Sequence, residues 1–540
     1  HQGQNINTPQ STHQIKRQYK DDFGWSQNVF GFRNDFKIGG QYVDEPTLGG
    51  DFSTGLTGQF NHFSDEANSP ITDITFFGGF FGDKTPVKQY SGYVQDDLYP
   101  MDRLTVSVGM RYDLWKGFDL DQRSNPIWQA LATQTRYNTF YLQDFQGGKG
   151  GVLKNDTNNY APRIGFVYDL KGDGRMLFRG GYGTYYDFPY TNATILFPAS
   201  AVQSNYGVVY NVTAPPCPPT QPNCTRGIRN ADGSFFHVGQ PLPPNGLTSP
   251  DLQPPNEVAS PTLATPYSDQ KSLGFAWQWT DHIGLDFSLV SIDYHKIPFR
   301  FRANPKDPAT GARRFPQFGN FRLWYGKGRA SYDGANVGVR VHMTKVDLQG
   351  FYTYSKSKGN VLAGADEFRI NDRGYQPGLP RDVSVNPLDP LCGACFGPLD
   401  TDARHKLTFG GTYSGPWGVN VSGMFRYRSA TPYIDYITSD PNNDGFAEDL
   451  RPGVGHVNTL RGHSFQQLDV RLARDFRFGG EVGVELLAEM FNVFNEKNPS
   501  SFHFRFNSAG QQIVFEPTSF SGDPGQGEQR LIQLGARVHF

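Results

Sequence analysis

Apolar and polar side chains alternate with a period of two along run after run of this chain, and few folds can absorb so many such runs. In the closing segment Ile532, Leu534, Ala536, Val538 and Phe540 share one face, while Leu531, Gln533, Gly535, Arg537 and His539 share the other. Successive side chains of a strand point to opposite sides of the sheet. The same alternation marks Leu104 to Leu114, Ile164 to Leu170, Val337 to Met343, Val346 to Tyr354, Val419 to Tyr427 and Leu468 to Leu472. Most runs reach about 9–11 residues, the length a tilted strand needs to cross a hydrocarbon layer. Half of each run is polar, so none reads as a transmembrane helix. One face turned to lipid and the other to a watery lumen would require this pattern. A soluble sandwich strand shows it too, so the connections between runs carry the decision.

Those connections alternate between two sizes. Short ones fall at Tyr99–Asp102, Lys171–Gly174, Thr280–His282, Thr344–Lys345, Ser414–Gly418 and Arg477–Gly480. Long stretches rich in Pro, Gly and Asn lie between them: Lys116–Asn159, Asp187–Pro266, Pro298–Arg329, Lys358–Ala403, Thr431–His463 and Asn495–Gln529. An up-and-down barrel in an outer membrane has short turns on the periplasmic side and long loops outside. The fold class read here is all-β, a transmembrane antiparallel up-and-down barrel occupying residues 1–540. Thirteen strands are expected from Lys88 onward, and four more near Thr12–Phe23, Asn28–Val43, Phe52–His62 and Ile71–Phe81. The total is about 16–17; counted in full, thirteen and four make an odd seventeen, whereas single-chain bacterial barrels have even strand numbers. Set against the roughly 22 strands of plugged transporters, the reading expects an incomplete barrel lacking about five strands.

Composition narrows the function classes. Mean hydropathy is -0.54, yet 14% of residues are aromatic, with Phe 44 and Tyr 27. No amphipathic helix pattern stands out. A net charge of -2 argues against a nucleic-acid partner, which calls for a basic surface. His1 opens the chain without a signal peptide, so the expectation is a mature or truncated N-terminus.

The alternating segments also carry a resemblance. Tyr90-Ser-Gly-Tyr-Val-Gln-Asp-Asp97, a turn, and Leu104-Thr-Val-Ser-Val-Gly-Met-Arg-Tyr-Asp113 resemble the hallmark hairpin of TonB-dependent receptors. Ala161-Pro-Arg-Ile-Gly-Phe166 followed by Phe178-Arg-Gly-Gly-Tyr-Gly-Thr-Tyr-Tyr-Asp187 is similar to the Oar-like subgroup. Asp402-Ala-Arg-His405, Arg428-Ser-Ala-Thr-Pro432, Ala488-Glu-Met-Phe-Asn-Val-Phe-Asn495 and Arg530 to Phe540 complete an ordered set over roughly residues 12–540. The resemblance implies an outer-membrane barrel importing a large nutrient, such as an oligosaccharide, a peptide or a metal chelate. Its implied partners are outer-membrane lipid, the extracellular ligand, and the TonB complex acting through a plug. Family chains resemble a three-part array of carboxypeptidase-regulatory-like sandwich, plug and barrel. Neither the sandwich, the plug nor a TonB box is recognisable here. Two other functions stay open: a passive porin-like channel, and a surface adhesin or scaffold barrel.

Candidate sites follow from position. The lumen-facing polar set is Arg111, Asp113, Asp169, Arg179, Arg340, His342, Arg426, Arg428, Asp469, Arg471, Glu485, Glu489 and Arg537. These either contact a plug and line a substrate path or make the self-neutralising wet interior of any wide barrel. No catalytic constellation accompanies them, so an enzyme is not expected. Asp440, Asn442 and Asp444, with Gly445, match the first half of a calcium loop. Arg451 stands where the bidentate Glu belongs, leaving Glu448 as a substitute, or a plain Asx-rich turn. Cys217 with Cys224, and Cys392 with Cys395, lie in long loops where an oxidising exterior favours two local disulfides; Cys392-Gly-Ala-Cys395 could also be redox-active or half a zinc site. No cofactor is expected beyond structural calcium. Trp115, Trp277, Trp279, Trp417, Tyr354 and Tyr427 suit aromatic girdles at the strand ends, or sugar-stacking platforms. The Pro-rich stretch Pro215–Pro266 exceeds a simple connector and suits substrate recognition or a lid.

Overall fold

Each alternating run forms a hydrogen-bonded antiparallel ladder with the next. The computed structural model describes residues 11–29, 31–63, 69–84, 86–135, 140–187, 206–215, 225–243, 257–304, 306–307, 310–318, 321–360, 396–433, 436–437, 449–450, 458–478, 482–506, 512–520 and 530–540. Apart from the two-residue strand Gly397–Pro398, the strands of the main sheet are β1 (Ser11–Val29), β2 (Phe32–His62), β3 (Ile71–Lys84), β4 (Val87–Met101), β5 (Leu104–Lys116), β6 (Tyr160–Asp169), β7 (Met176–Tyr186), β8 (Tyr206–Thr213) and β9 (Glu257–Ala259). They continue as β10 (Tyr267–Gln278), β11 (Ile283–Ala303), β12 (Phe321–Met343), β13 (Val346–Gly359), β14 (His405–Ser414), β15 (Val419–Arg428), β16 (Phe465–Phe478), β17 (Val482–Phe491) and β18 (Leu531–His539). Fifteen of these, all but β3, β8 and β9, make one up-and-down ladder in chain order. Among the described residues β1 pairs only with β2, and β18 only with β17.

The thirteen strands expected from Lys88 onward are all present, and so are the six short turns. The turn between β6 and β7 shows how one is built. The Asp169 carboxylate accepts hydrogen bonds from the backbone N–H groups of Lys171 (3.2 Å), Gly172 (2.8 Å) and Gly174 (2.7 Å). Both glycines stand at positive φ, +78° and +72°, which a Cβ disfavours. Asp169 is thus committed to its turn rather than to the polar wall.

Three expectations need correction. The strands expected at Asn28–Val43 and Phe52–His62 are one continuous β2 of 31 residues. Its first part pairs with β4 and its last part with β3, which returns in line with β4. That gives fifteen ladder strands rather than seventeen. The expected loop Pro298–Arg329 is strand at both ends, because β11 runs to Ala303 and β12 starts at Phe321. In both places period-two alternation continues past the span a bilayer would use, and backbone pairing continues with it. Finally, short helices do occur: α1 (Pro126–Ala132) and α2 (Phe140–Phe145). Asn125 caps α1 by accepting from Ile127 N–H, and Pro126 sits at its first turn, a favoured start signal. Seven residues and six are too few to display a helical period.

The buried clusters lie among the long loops and the outer extensions of the strands. Ile127 and Leu131 of α1, with Leu142 and Phe145 of α2, pack on Val258 of β9 and on Phe299, Phe321, Leu323 and Tyr325 of the β11–β12 extension. A second cluster joins Ile71, Ile74, Ala214, Ile228 and Phe236 over β3. Polar groups stitch a third, adjoining cluster of Leu120, Ala259 and Trp324 to its surroundings. The fully buried Gln122 donates from Nε2 to the carbonyls of Gly150 (2.6 Å) and Ala259 (2.8 Å), and its Oε1 accepts from Ala259 N–H (2.9 Å). Buried Glu257 accepts from Trp324 Nε1 at 2.7 Å. Gln122→Ala leaves these backbone groups buried without partners, at a cost of about 1–3 kcal/mol. The expected outcome is faster hydrogen exchange at Ala259 and around α1, with the ladder amides unchanged.

Candidate functional site: the polar face and the loop head

Cross-strand register puts the polar half of every run on a common face. Directly opposed residues lie on the same side, so Asp97, Ser107, Gly165, Gly181, Ser272, Val290, Gly334 and Ser355 form one row across eight strands. Charged residues flank that row and pair among themselves. Arg111 donates to both oxygens of Asp113 (2.8 Å each), and Ser91 Oγ donates to Asp113 at 2.6 Å. Arg179 meets Asp286 at 2.7 Å, and Arg426 meets Asp469 at 3.1 Å. Arg471 reaches Glu485 (3.1 Å) and Glu489 (3.6 Å), with Arg537 3.5 Å from Glu485. Arg340 and Arg428 lie over the Phe351 and Phe465 rings, at 6.0 and 5.9 Å. His342 contacts Asp347 at 2.8 Å beside the β12–β13 turn. Each member of the expected set except Asp169 therefore meets a neighbour on the same face. A cavity of about 560 Å³ along this face is lined by Lys20, Lys37, Tyr93, Arg111, Arg163 and Tyr185, among others.

The opposite face is apolar and outward. Ile164, Phe409, Leu472, Leu486, Leu534 and Val538 are all exposed there, whereas Asp97 and Asp113 on the polar face are buried. Side chains converge on the inside of a curved sheet and splay on its outside, which makes the polar face the concave one. The Trp277 and Trp279 rings lie 6.1 Å apart, tilted to one another, at the short-turn end, and Trp417 stands exposed in the β14–β15 turn. Tyr354 is exposed on the apolar face near His405, and Tyr427 shares that face opposite Leu407. Trp115 needs correction as a girdle residue: it is buried and lies on the polar face, opposite Gln89. The register also shows a belt missed in the sequence. Tyr19, Tyr42 and Tyr90, then Tyr112 and Tyr160, then Tyr186 and Tyr267 pack ring against ring around the long-loop end, stacked in the first pair and tilted in the others. Tyrosine spacing in one strand reveals nothing of this, since the ring contacts form across strands.

One further constellation was only half legible. Asp402, in the motif Asp402-Ala-Arg-His405, is fully buried and accepts from Arg404 Nε (2.9 Å), Arg461 (2.6 Å) and Ser357 N–H (2.7 Å). It ties the loop before β14 to β13 and to the segment preceding β16. In the loop after β5, hydrogen bonds from the Arg123 guanidinium and backbone pull the Asp121 carboxyl down to about 2. Among the described residues no three metal-ligating side chains converge, and no helix is long and apolar enough to cross a membrane, which says nothing of strands. Asp440, Asn442, Asp444 and Glu448, and all four cysteines (Cys217, Cys224, Cys392 and Cys395), lie outside the described residues.

The geometry can be set beside known proteins. A family model described as outer membrane beta barrel domain matches residues 1–431. No curated protein matches the sequence. Among solved structures, the outer membrane transporter YddB from Escherichia coli superposes with a TM-score of 0.53 at 14% identity, over 97% of this chain and 54% of that one. The ferripyoverdine receptor of the outer membrane of Pseudomonas aeruginosa, bound to ferripyoverdine, gives 0.49 at 9% identity over 98% and 49%. The siderophore receptor PirA from Acinetobacter baumannii gives 0.46 at 12% identity over 97% and 54%. The chain spans about half the length of these structures. The apolar face of the ladder accordingly meets outer-membrane lipid, and the chain belongs to the outer membrane beta barrel domain family.

Proposed function

We propose that the chain is the barrel portion of a TonB-dependent receptor of the Oar-like subgroup, importing a large nutrient that the extracellular loops recognise first. The observation that carries this reading is the packed loop head. A diffusion pore needs an open mouth, whereas a receptor needs a rigid surface that grips its ligand before transport. Here two helices, β9 and the β11–β12 extension share one buried cluster above the barrel. The ordered motifs support the same reading, because Tyr90 to Asp113 forms the β4–β5 hairpin and Asp402 to His405 anchors β14. In this reading the polar wall packs on a plug, and energy reaches the barrel through it. An oligosaccharide, a peptide or a metal chelate of the kind siderophore receptors take would suit the head.

The test uses the protein extracted from outer membranes. It is expected to bind the immobilised periplasmic domain of TonB and to show no steady conductance in a planar bilayer. Large resting conductance without TonB binding would establish the porin reading instead. Failure of both binding and conductance would leave an adhesin or scaffold barrel.

A further inference from the structure

On the lipid side of the barrel, just beyond the tyrosine belt, one row carries three cations and a single carboxylate. Register sets Arg17, Asp44, Lys88 and Lys116 side by side across β1, β2, β4 and β5. Their parity is that of Tyr19, Tyr42, Tyr90 and Leu114, so all four look outward and not into the lumen. Asp44 is engaged by Arg17 at 3.7 Å. Lys88 and Lys116 stand directly opposite one another, an arrangement that costs stability unless an anion intervenes. Neither has a carboxylate within ion-pair distance among the described residues, and both are exposed. Lys116 Nζ lies 5.6 Å from the Tyr90 ring centroid; the Tyr90 ring tilts against Tyr42 at 5.1 Å, and Tyr42 stacks on Tyr19 at 6.3 Å.

Height decides what anion can arrive there. Tyr90 lies 11 residues above Met101 at the short-turn end of β4, roughly 25 Å for a strand tilted about 45°. That equals the apolar band of an outer-membrane barrel, about 25 Å, so Tyr90 marks the outer interface. Lys88 and Lys116 then sit at headgroup level. We propose that Arg17, Lys88 and Lys116 form a docking site for the phosphate of an outer-leaflet lipid, whose acyl chains run down the apolar face below Tyr42 and Tyr90. Three cations around one carboxylate leave charge for a phosphate, and the row of tyrosine rings supplies the aromatic wall on which the sugar or glycerol of the headgroup rests. The loop end is firm, because Gly117 follows Lys116 at φ +107° in contact with Pro86, where no side chain fits.

The test is native mass spectrometry of the outer-membrane protein in detergent, loaded with bisphosphorylated lipid A, with its dephosphorylated form, or with inorganic phosphate. Wild type is expected to retain the bisphosphorylated lipid only. Each lysine near an anionic surface contributes about fivefold, so K88Q/K116Q is expected to retain it roughly 25-fold less well. The single variant K116Q should fall between. A K149Q/K154Q control in the loop after β5 should match wild type, and heat-shifted gel mobility checks that every variant is folded. Equal retention by K88Q/K116Q, or equal retention of the dephosphorylated lipid, overturns the site. Displacement of the lipid by inorganic phosphate overturns its assignment to a lipid and points to a free anion.

Discussion

Asp402→Ala is expected to lower the stability of the folded barrel by roughly 3–5 kcal/mol, read as a shift of the urea midpoint in lipid vesicles. The Asp402 side chain is 0% exposed, and its two guanidinium partners, on Arg404 and Arg461, are 29% and 33% exposed. Removing the carboxylate strands two half-buried positive charges and the Ser357 N–H together, and like charges brought this close repel. Water still reaches both arginines in part, so the lower end of the range is expected. Asp402→Asn separates the terms: the amide oxygen still accepts from Ser357 N–H, while the charge is gone, so its loss should be smaller. Arg461 also donates to the carbonyls of Asp402 (2.5 Å) and Ala430 (3.0 Å). Hydrogen exchange should therefore quicken at the outer ends of β13 and β14 and around Ala430, with the short turns unaffected. Unchanged exchange there would mean that the three segments are held by backbone pairing alone.

How much of this was legible depends on which medium shapes each segment. Inside the bilayer one rule acts on every residue, lipid on one side and water on the other, so thirteen strands and six turns follow from alternation. Outside it that rule lapses. Leu323 and Tyr325 of β12 alternate as a membrane strand would, but they are buried under helices instead of facing lipid. Trp115 misleads for the same reason: at the loop end an aromatic can turn inward and be covered. The motif Asp402-Ala-Arg-His405 could be recognised, yet Arg461 lies 59 residues away, and no local pattern announces it. Gln122 has no legible role until Ala259, 137 residues on, is folded against it. The polar set was found by parity alone, and parity cannot show which charge pairs with which.

The inside–outside assignment itself gives the other large expected effect. Leu472 of β16 is 48% exposed and opposes Val421 and Ala488 on the apolar face. It stands six residues from Phe478 at the short-turn end, roughly 14 Å along a tilted strand and so close to the bilayer midplane. Leu472→Arg must place a guanidinium in hydrocarbon or drag it to an interface, at a cost of about 2–4 kcal/mol. Met424 of β15 is similarly exposed and lies at similar height, but it opposes Gly410 and Asp469 on the polar face. Met424→Arg gains a carboxylate neighbour in water, and its expected change is within about 0.5 kcal/mol, as for ordinary exposed positions. Urea-driven unfolding from lipid vesicles, followed by tryptophan emission, measures both. Hydrophobic and lumenal faces differ only by side-chain parity, so a one-residue slip of register would exchange the two results. Equal costs would remove lipid from one side of this sheet, and with it the transporter reading that the loop head supports.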